Sequence, residues 1–152
     1  MNILVTSDFS EKSEVALKYL KKFLASLKVE KPRITILHCV EHISTSRLYY
    51  GLGIDVENII LNCEDEANKE MTRLKNTFFP EGSEADIETV VRRSGTSVGS
   101  EIVQYAEEHD FDLLLIARKG HTALKHVFFG SVSEYVIRHA NCPVIVVPDS
   151  VL

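Results

Sequence analysis

Short, almost unbroken apolar runs alternate with stretches of helical periodicity, and this alternation constrains the chain more than any other feature. Residues 2–7 (NILVTS), 33–40 (RITILHCV), 111–117 (FDLLLIA) and 143–148 (PVIVVP) lack the regular apolar–polar alternation of a strand with one wet face. They read as strands covered on both sides, the mark of a parallel sheet. Residues 85–92 (ADIETVVR) set Asp86 and Glu88 between apolar neighbours, which gives that strand a wetter face and a place near a sheet edge.

The intervening segments carry apolar residues at helical spacing. In 11–28, Val15, Ala16, Tyr19, Leu20, Phe23, Leu24 and Leu27 form one stripe, and Ser10 is placed to cap it. Residues 56–78, 97–109 and 131–140 read as further helices, the last ending before Asn141-Cys142-Pro143. The order β-α-β-α-β-α-β-α-β predicts an α/β sandwich with right-handed crossovers. Residues 41–55 (EHISTSRLYYGLGID) follow neither period and are long enough to form a mobile loop.

A chain of 152 residues suits one domain spanning 1–152. The formal net charge is −5 and there is no long basic run, which argues against a sequence-independent grip on nucleic acid. No apolar stretch approaches the roughly 20 residues needed to cross a bilayer. The N-terminus shows no basic leader with an apolar core. Cys39, Cys63 and Cys142 are odd in number, widely spaced and never CxxC, as expected of reduced thiols in a cytoplasmic protein.

In open α/β sheets ligands bind beyond the carboxyl ends of the strands, so the loops after strands are where chemistry is sought. The stretch ARKGHTALKHVFFGSVSE (117–134) stands out there. Gly120 and Gly130 allow a sharp turn and close approach, and Arg118, Lys119 and Lys125 bring positive charge. Ser131 opens a helix whose free N–H groups and dipole favour an anion. A plainer reading stands beside this one: Ser131-Val132-Ser133-Glu134 is a capping box, S-x-x-E, which merely starts a helix. Other chemistries fit poorly. No G-x-x-x-x-G-K-[ST] is present, and GSVSE lacks the closing glycine of a nucleophile elbow. His38 and His42 fall in and beyond a strand, where HxxxH does not bring two rings to one face. The run EDEANKE (64–70) reads as a solvated helix face, and Phe128 and Phe129 as core-packing residues.

The residues of this stretch resemble the nucleotide-binding signature of the universal stress protein family, G-x2-G-x9-G-[ST]. Here it runs Ala117-Arg118-Lys119-Gly120, nine residues, then Gly130-Ser131. ILVTSDFSE and ILHCVEH are similar to the family's first two strands and their loops, and GSVSEYVIRHANCPVIVV to its last helix and strand. The resemblance implies a three-layer, Rossmann-like sandwich of the adenine nucleotide alpha hydrolase-like type, with five parallel strands in the order 3-2-1-4-5. It implies an ATP site in which Asp8, Cys39 and Val40 hold the adenosine, with Thr6 and Ser7 lining the same turn. Ala117, Arg118, Gly120, Gly130, Ser131, Val132 and Ser133 would then face the phosphates, and any Mg²⁺ would be held by phosphates and water. It further implies a homodimer through residues 143–147 and a role in stress response or signalling, with at most slow ATP hydrolysis. Ala117 departs from the signature glycine. Its methyl is tolerable in ordinary strand geometry and obstructive where φ must be positive. That departure favours the alternative, a nucleotide-independent dimeric scaffold.

Overall fold

The computed structural model describes residues 1–27, 30–41, 55–120 and 129–148. Its elements run β1 (Asn2–Thr6), α1 (Glu11–Leu27), β2 (Arg33–Val40), α2 (Val56–Phe78), β3 (Asp86–Arg93), α3 (Val98–Glu108), β4 (Leu113–Ala117), α4 (Ser131–His139) and β5 (Val144–Val147). The five strands form one parallel sheet in the order β3-β2-β1-β4-β5. This is the 3-2-1-4-5 sandwich expected from the alternation and the resemblance.

Strand periodicity divides the core into two layers. Ile3, Val5, Ile34, Ile36 and Leu115 face α1 and α2, where Leu17, Leu20, Met71 and Leu74 meet them. Leu4, Leu37, Leu114 and Ile116 face the other way, onto Ile102, Val103, Ala106 and Val136 of α3 and α4. Ile3, Leu4 and Val5 are all fully buried, which is why β1 carries no polar face. Each such side chain contributes about 1.5–3 kcal/mol on burial. No helix among the described residues is long and apolar enough to cross a membrane.

Local chemistry sets the helix starts. Ser10 caps α1 as expected, its Oγ accepting from the Ser13 N–H at 3.2 Å. Asp55 caps α2 through the Asn58 N–H, and Ser97 caps α3 in a reciprocal box with Ser100. β4 begins at Leu113, two residues later than the apolar run suggested. Asp112 is spent on β1 instead, its carboxylate accepting from the Asn2 N–H at 2.7 Å. After β1 the chain moves first to β2 and β3, then back across β1 to β4 and β5. The strand order therefore reverses between β1 and β4, which opens a crevice at their carboxyl ends.

Candidate functional site

A cleft of about 800 Å³ occupies that crevice. Its floor is the turn after β1. Ser7 organises it: its N–H donates to the Leu37 carbonyl at 2.9 Å, and its Oγ accepts from the Phe9 N–H at 3.1 Å. The Ser7 carbonyl accepts from His38 Nδ1 at 2.8 Å. A carbonyl can only accept, so Nδ1 carries the proton and the neutral ring keeps Nε2 as an acceptor. Phe9 has φ +62, a left-handed conformation unusual outside glycine, and its ring stacks on His38 at 4.1 Å. The resulting turn presents Asp8, whose Oδ1 accepts from the Ser10 N–H at 3.1 Å and from the Ser10 hydroxyl. The other carboxylate oxygen lies over Gly120: a Cβ added there would stand 2.5 Å from Asp8 Oδ2.

The opposite wall is built by the loop after β4 and the start of α4. The Arg118 carbonyl accepts from the Gly130 N–H at 2.9 Å and from the Ser133 hydroxyl at 2.7 Å, locking the two segments together. The capping-box reading of Ser131 is corrected here. Gly130 occupies the cap position and Ser131 is already the first helical residue, one place too late for its hydroxyl to cap. Gly130 supplies no side-chain acceptor, and the first helical bond runs from Glu134 N–H to the Gly130 carbonyl. Among the described residues, the N–H groups of Ser131, Val132 and Ser133 are thus left without a side-chain cap at the positive end of the α4 dipole. The expectation that both glycines serve a sharp turn is also corrected. Gly130 has φ −73 and ψ 158, which any residue adopts, and at Gly120 the close approach of Asp8 is what excludes a side chain. Ala117 is the last residue of β4, paired with Val147. The described non-glycine residues with positive φ are Phe9, Lys31 and Asp110, so Ala117 keeps ordinary strand geometry.

Thr6, Ser7, Asp8, Cys39, Val40, Ala117, Gly120, Gly130, Ser131, Val132 and Ser133 all line this one cleft. Arg118 does not, contributing its carbonyl as the clamp just described. Burial pushes the Cys39 thiol up to about 12, with Glu101 adding to the rise and Arg92 opposing it, so this cysteine is an inert wall residue. Burial likewise lowers the His38 pKa, against the opposing pull of the Ser7 carbonyl and Asp8, which keeps the ring neutral near pH 7. Among the described residues no group of three or more His, Cys, Asp or Glu could hold a metal ion. His42, His121, Lys125, His126, Phe128 and most of the 41–55 loop lie outside the described residues.

Sequence reasoning missed one wall entirely. Cys63, Glu66, Ala67 and Glu70 of α2 line the cleft, together with Glu41 beyond β2. The reading of 64–70 as a solvated face is therefore incomplete. Met71 and Leu74 seat α2 on the sheet, and the flank carrying Glu66, Ala67 and Glu70 lines the cleft. Phe129 also lines the cleft, where core packing had been expected. The signal for Phe9 and His38 lay in their chain positions beside Asp8 and Cys39. Chemically, the cleft offers backbone donors and Lys119 together with the carboxylates of Asp8, Glu41, Glu66 and Glu70. It suits a molecule with an anionic end and a body rich in hydrogen-bond donors.

The chain matches the model of the universal stress protein family over residues 1–148. It belongs to that family. Universal stress protein MJ0577 of Methanocaldococcus jannaschii is 32% identical over 157 residues, which cover 95% of this chain and 93% of the relative. The solved structure of MJ0577 superposes with a TM-score of 0.78 at 30% identity, covering 97% and 94% of the two chains. A universal stress protein from Archaeoglobus fulgidus in complex with dAMP shares the fold with a TM-score of 0.63 at 24% identity, covering 96% of each chain. A family protein from Arabidopsis thaliana with AMP bound does so at 0.62 and 18%, over 97% of this chain and 91% of that one. As a universal stress protein, the chain carries its signature with alanine where the first glycine stands.

Proposed function

We propose that this universal stress protein binds ATP in the cleft and acts in stress response or signalling. The observation that carries the reading is the convergence of four separate segments on one cavity: the turn after β1, the end of β2, the loop after β4 and the uncapped start of α4. In this reading the Asp8 carboxylate accepts from ribose hydroxyls or the exocyclic amine, and Val40 packs against the purine. The phosphates meet Gly120 and the N–H groups of Ser131, Val132 and Ser133, where the helix dipole favours anions. Adenine nucleotides bound to the Archaeoglobus fulgidus and Arabidopsis relatives support the ligand class. Any Mg²⁺ would be carried by the phosphates and water. The working form is a cytoplasmic homodimer joined through residues 143–147, with bound nucleotide setting conformation or partner choice.

A nucleotide-independent dimeric scaffold is the second reading, and alanine at 117, a residue that lines the cleft, is the observation that favours it. Ordinary strand geometry at Ala117 weighs against it, because no positive φ has to be given up. The test is to denature freshly purified protein and identify released nucleotide by mass, then to titrate the refolded or apo protein with ATP by calorimetry. Released adenine nucleotide or a clear binding heat supports the ATP reading. A protein that is empty and gives no heat with ATP overturns it in favour of the scaffold.

A further inference from the structure

We infer that Lys12 is a specificity determinant of this cleft, a cation at its rim that selects nucleotides with more than one phosphate over monophosphates. The inference rests on the nucleotide reading above and extends it to the length of the phosphate chain. Lys12 is the second residue of α1, and its ammonium donates to the Gly120 carbonyl at 3.3 Å. The side chain is half-buried, and among the described residues no carboxylate pairs with it. Its neighbour Ser13 lines the cleft, as do Gly120 and Lys119, but Lys12 itself does not. It therefore stands one step outside the cavity, against the loop that the first phosphate would meet.

This position separates ligands by length. A single phosphate held by Lys119 and the start of α4 sits within the cavity and does not need the rim. A longer chain running outward past Gly120 meets the Lys12 ammonium, which has three donors and spends one on the Gly120 carbonyl. Asp8 Oδ2 lies against the same glycine and repels additional phosphate charge. A cation on that glycine offsets the repulsion for ligands that carry more charge. Charge-assisted bonds to phosphate oxygens are about twice as strong as neutral ones, and a partly desolvated ammonium keeps most of that gain.

The test is calorimetric titration of the full chain with ATP, ADP and AMP, comparing the unsubstituted protein with Lys12→Met and Lys12→Gln, with circular dichroism as the check on folding. Glutamine keeps a donor for the Gly120 carbonyl but carries no charge. The expected result is that both variants lose about tenfold in ATP affinity while AMP affinity stays within about twofold. Equal loss of ATP and AMP in Lys12→Met, restored in Lys12→Gln, would overturn the inference by making Lys12 a strut for the loop. Unsubstituted protein that binds AMP as tightly as ATP would overturn it alone, whereas protein that binds neither would overturn the nucleotide reading as well.

Discussion

Gly120 answers to a neighbour and not to its own backbone. A Cβ there would stand 2.5 Å from Asp8 Oδ2, whereas at Gly130 the nearest atom, Lys119 Cα, would be 3.5 Å away in ordinary contact. The two signature glycines should therefore respond differently to the same small change. Gly120→Ala must displace the Asp8 carboxylate or the loop, and should weaken ATP binding by about tenfold or more. Gly130→Ala should change it by less than about threefold, in line with a substitution that meets no strain. Titration calorimetry on both variants decides, and equal sensitivity would mean that Asp8 and Gly120 do not act together in the site. The positions of these glycines were legible in the chain, because the spacing of the signature is local. Their different reasons were not, since Asp8 reaches Gly120 only after the sheet has brought β1 beside β4. Ala117 was legible as a departure, but its ordinary strand geometry became visible only with its pairing to Val147.

At the scale of elements, periodicity located every described helix and strand to within a residue or two, because the buried runs have no competing pattern. The start of α4 was placed correctly at Ser131, but its cap was misjudged for a reason of register. S-x-x-E does not say which residue is the cap, and here the Arg118 carbonyl seizes Gly130 and Ser133, so that the helix starts one residue earlier than a Ser131 cap would require. The α2 wall was hidden because its contacts are long-range. Arg93, at the end of β3, binds Glu57 at 2.8 Å and forks onto both oxygens of Glu64, while Arg73 joins Glu70 to Glu14 of α1. These bridges are exposed and individually weak, yet they hold the half of α2 that carries Cys63 and Glu66. Arg93→Ala should raise amide exchange in residues 56–66 by about two- to fivefold while leaving the sheet amides unchanged. Arg93 also holds the Glu64 carboxyl below the ordinary glutamate range. A depressed carboxylate contributes stability above its unfolded pKa and loses it as pH falls through the folded value. Acidification past the glutamate range should therefore loosen the same segment, and the Arg93→Ala protein should show less of that pH response.

At the scale of the whole molecule, the fold follows from composition along the chain, but association depends on which edges the sheet leaves open. The Pro143 and Val147 carbonyls accept from Leu114 and Arg118, so the odd-numbered residues of β5 turn their backbone toward β4. The backbone groups of Val144 and Val146 consequently face away from the sheet. If the proposed homodimer pairs these edges, Val146→Pro should convert it to a monomer, since proline removes an outward N–H and is tolerated at an edge. Sedimentation analysis checks this, and a dimer that persists would locate the interface elsewhere. The opposite edge, β3, bears exposed Asp86, Glu88 and Arg93, where β5 offers Val-Ile-Val-Val. Charged side chains along an edge resist strand addition, and apolar side chains invite it. In that pairing, a sheet with one inviting and one forbidding edge uses up its apolar edge in the first encounter. In the proposed dimer, growth through the described sheet edges would then stop at a closed pair, with no second apolar edge from which filaments could proceed.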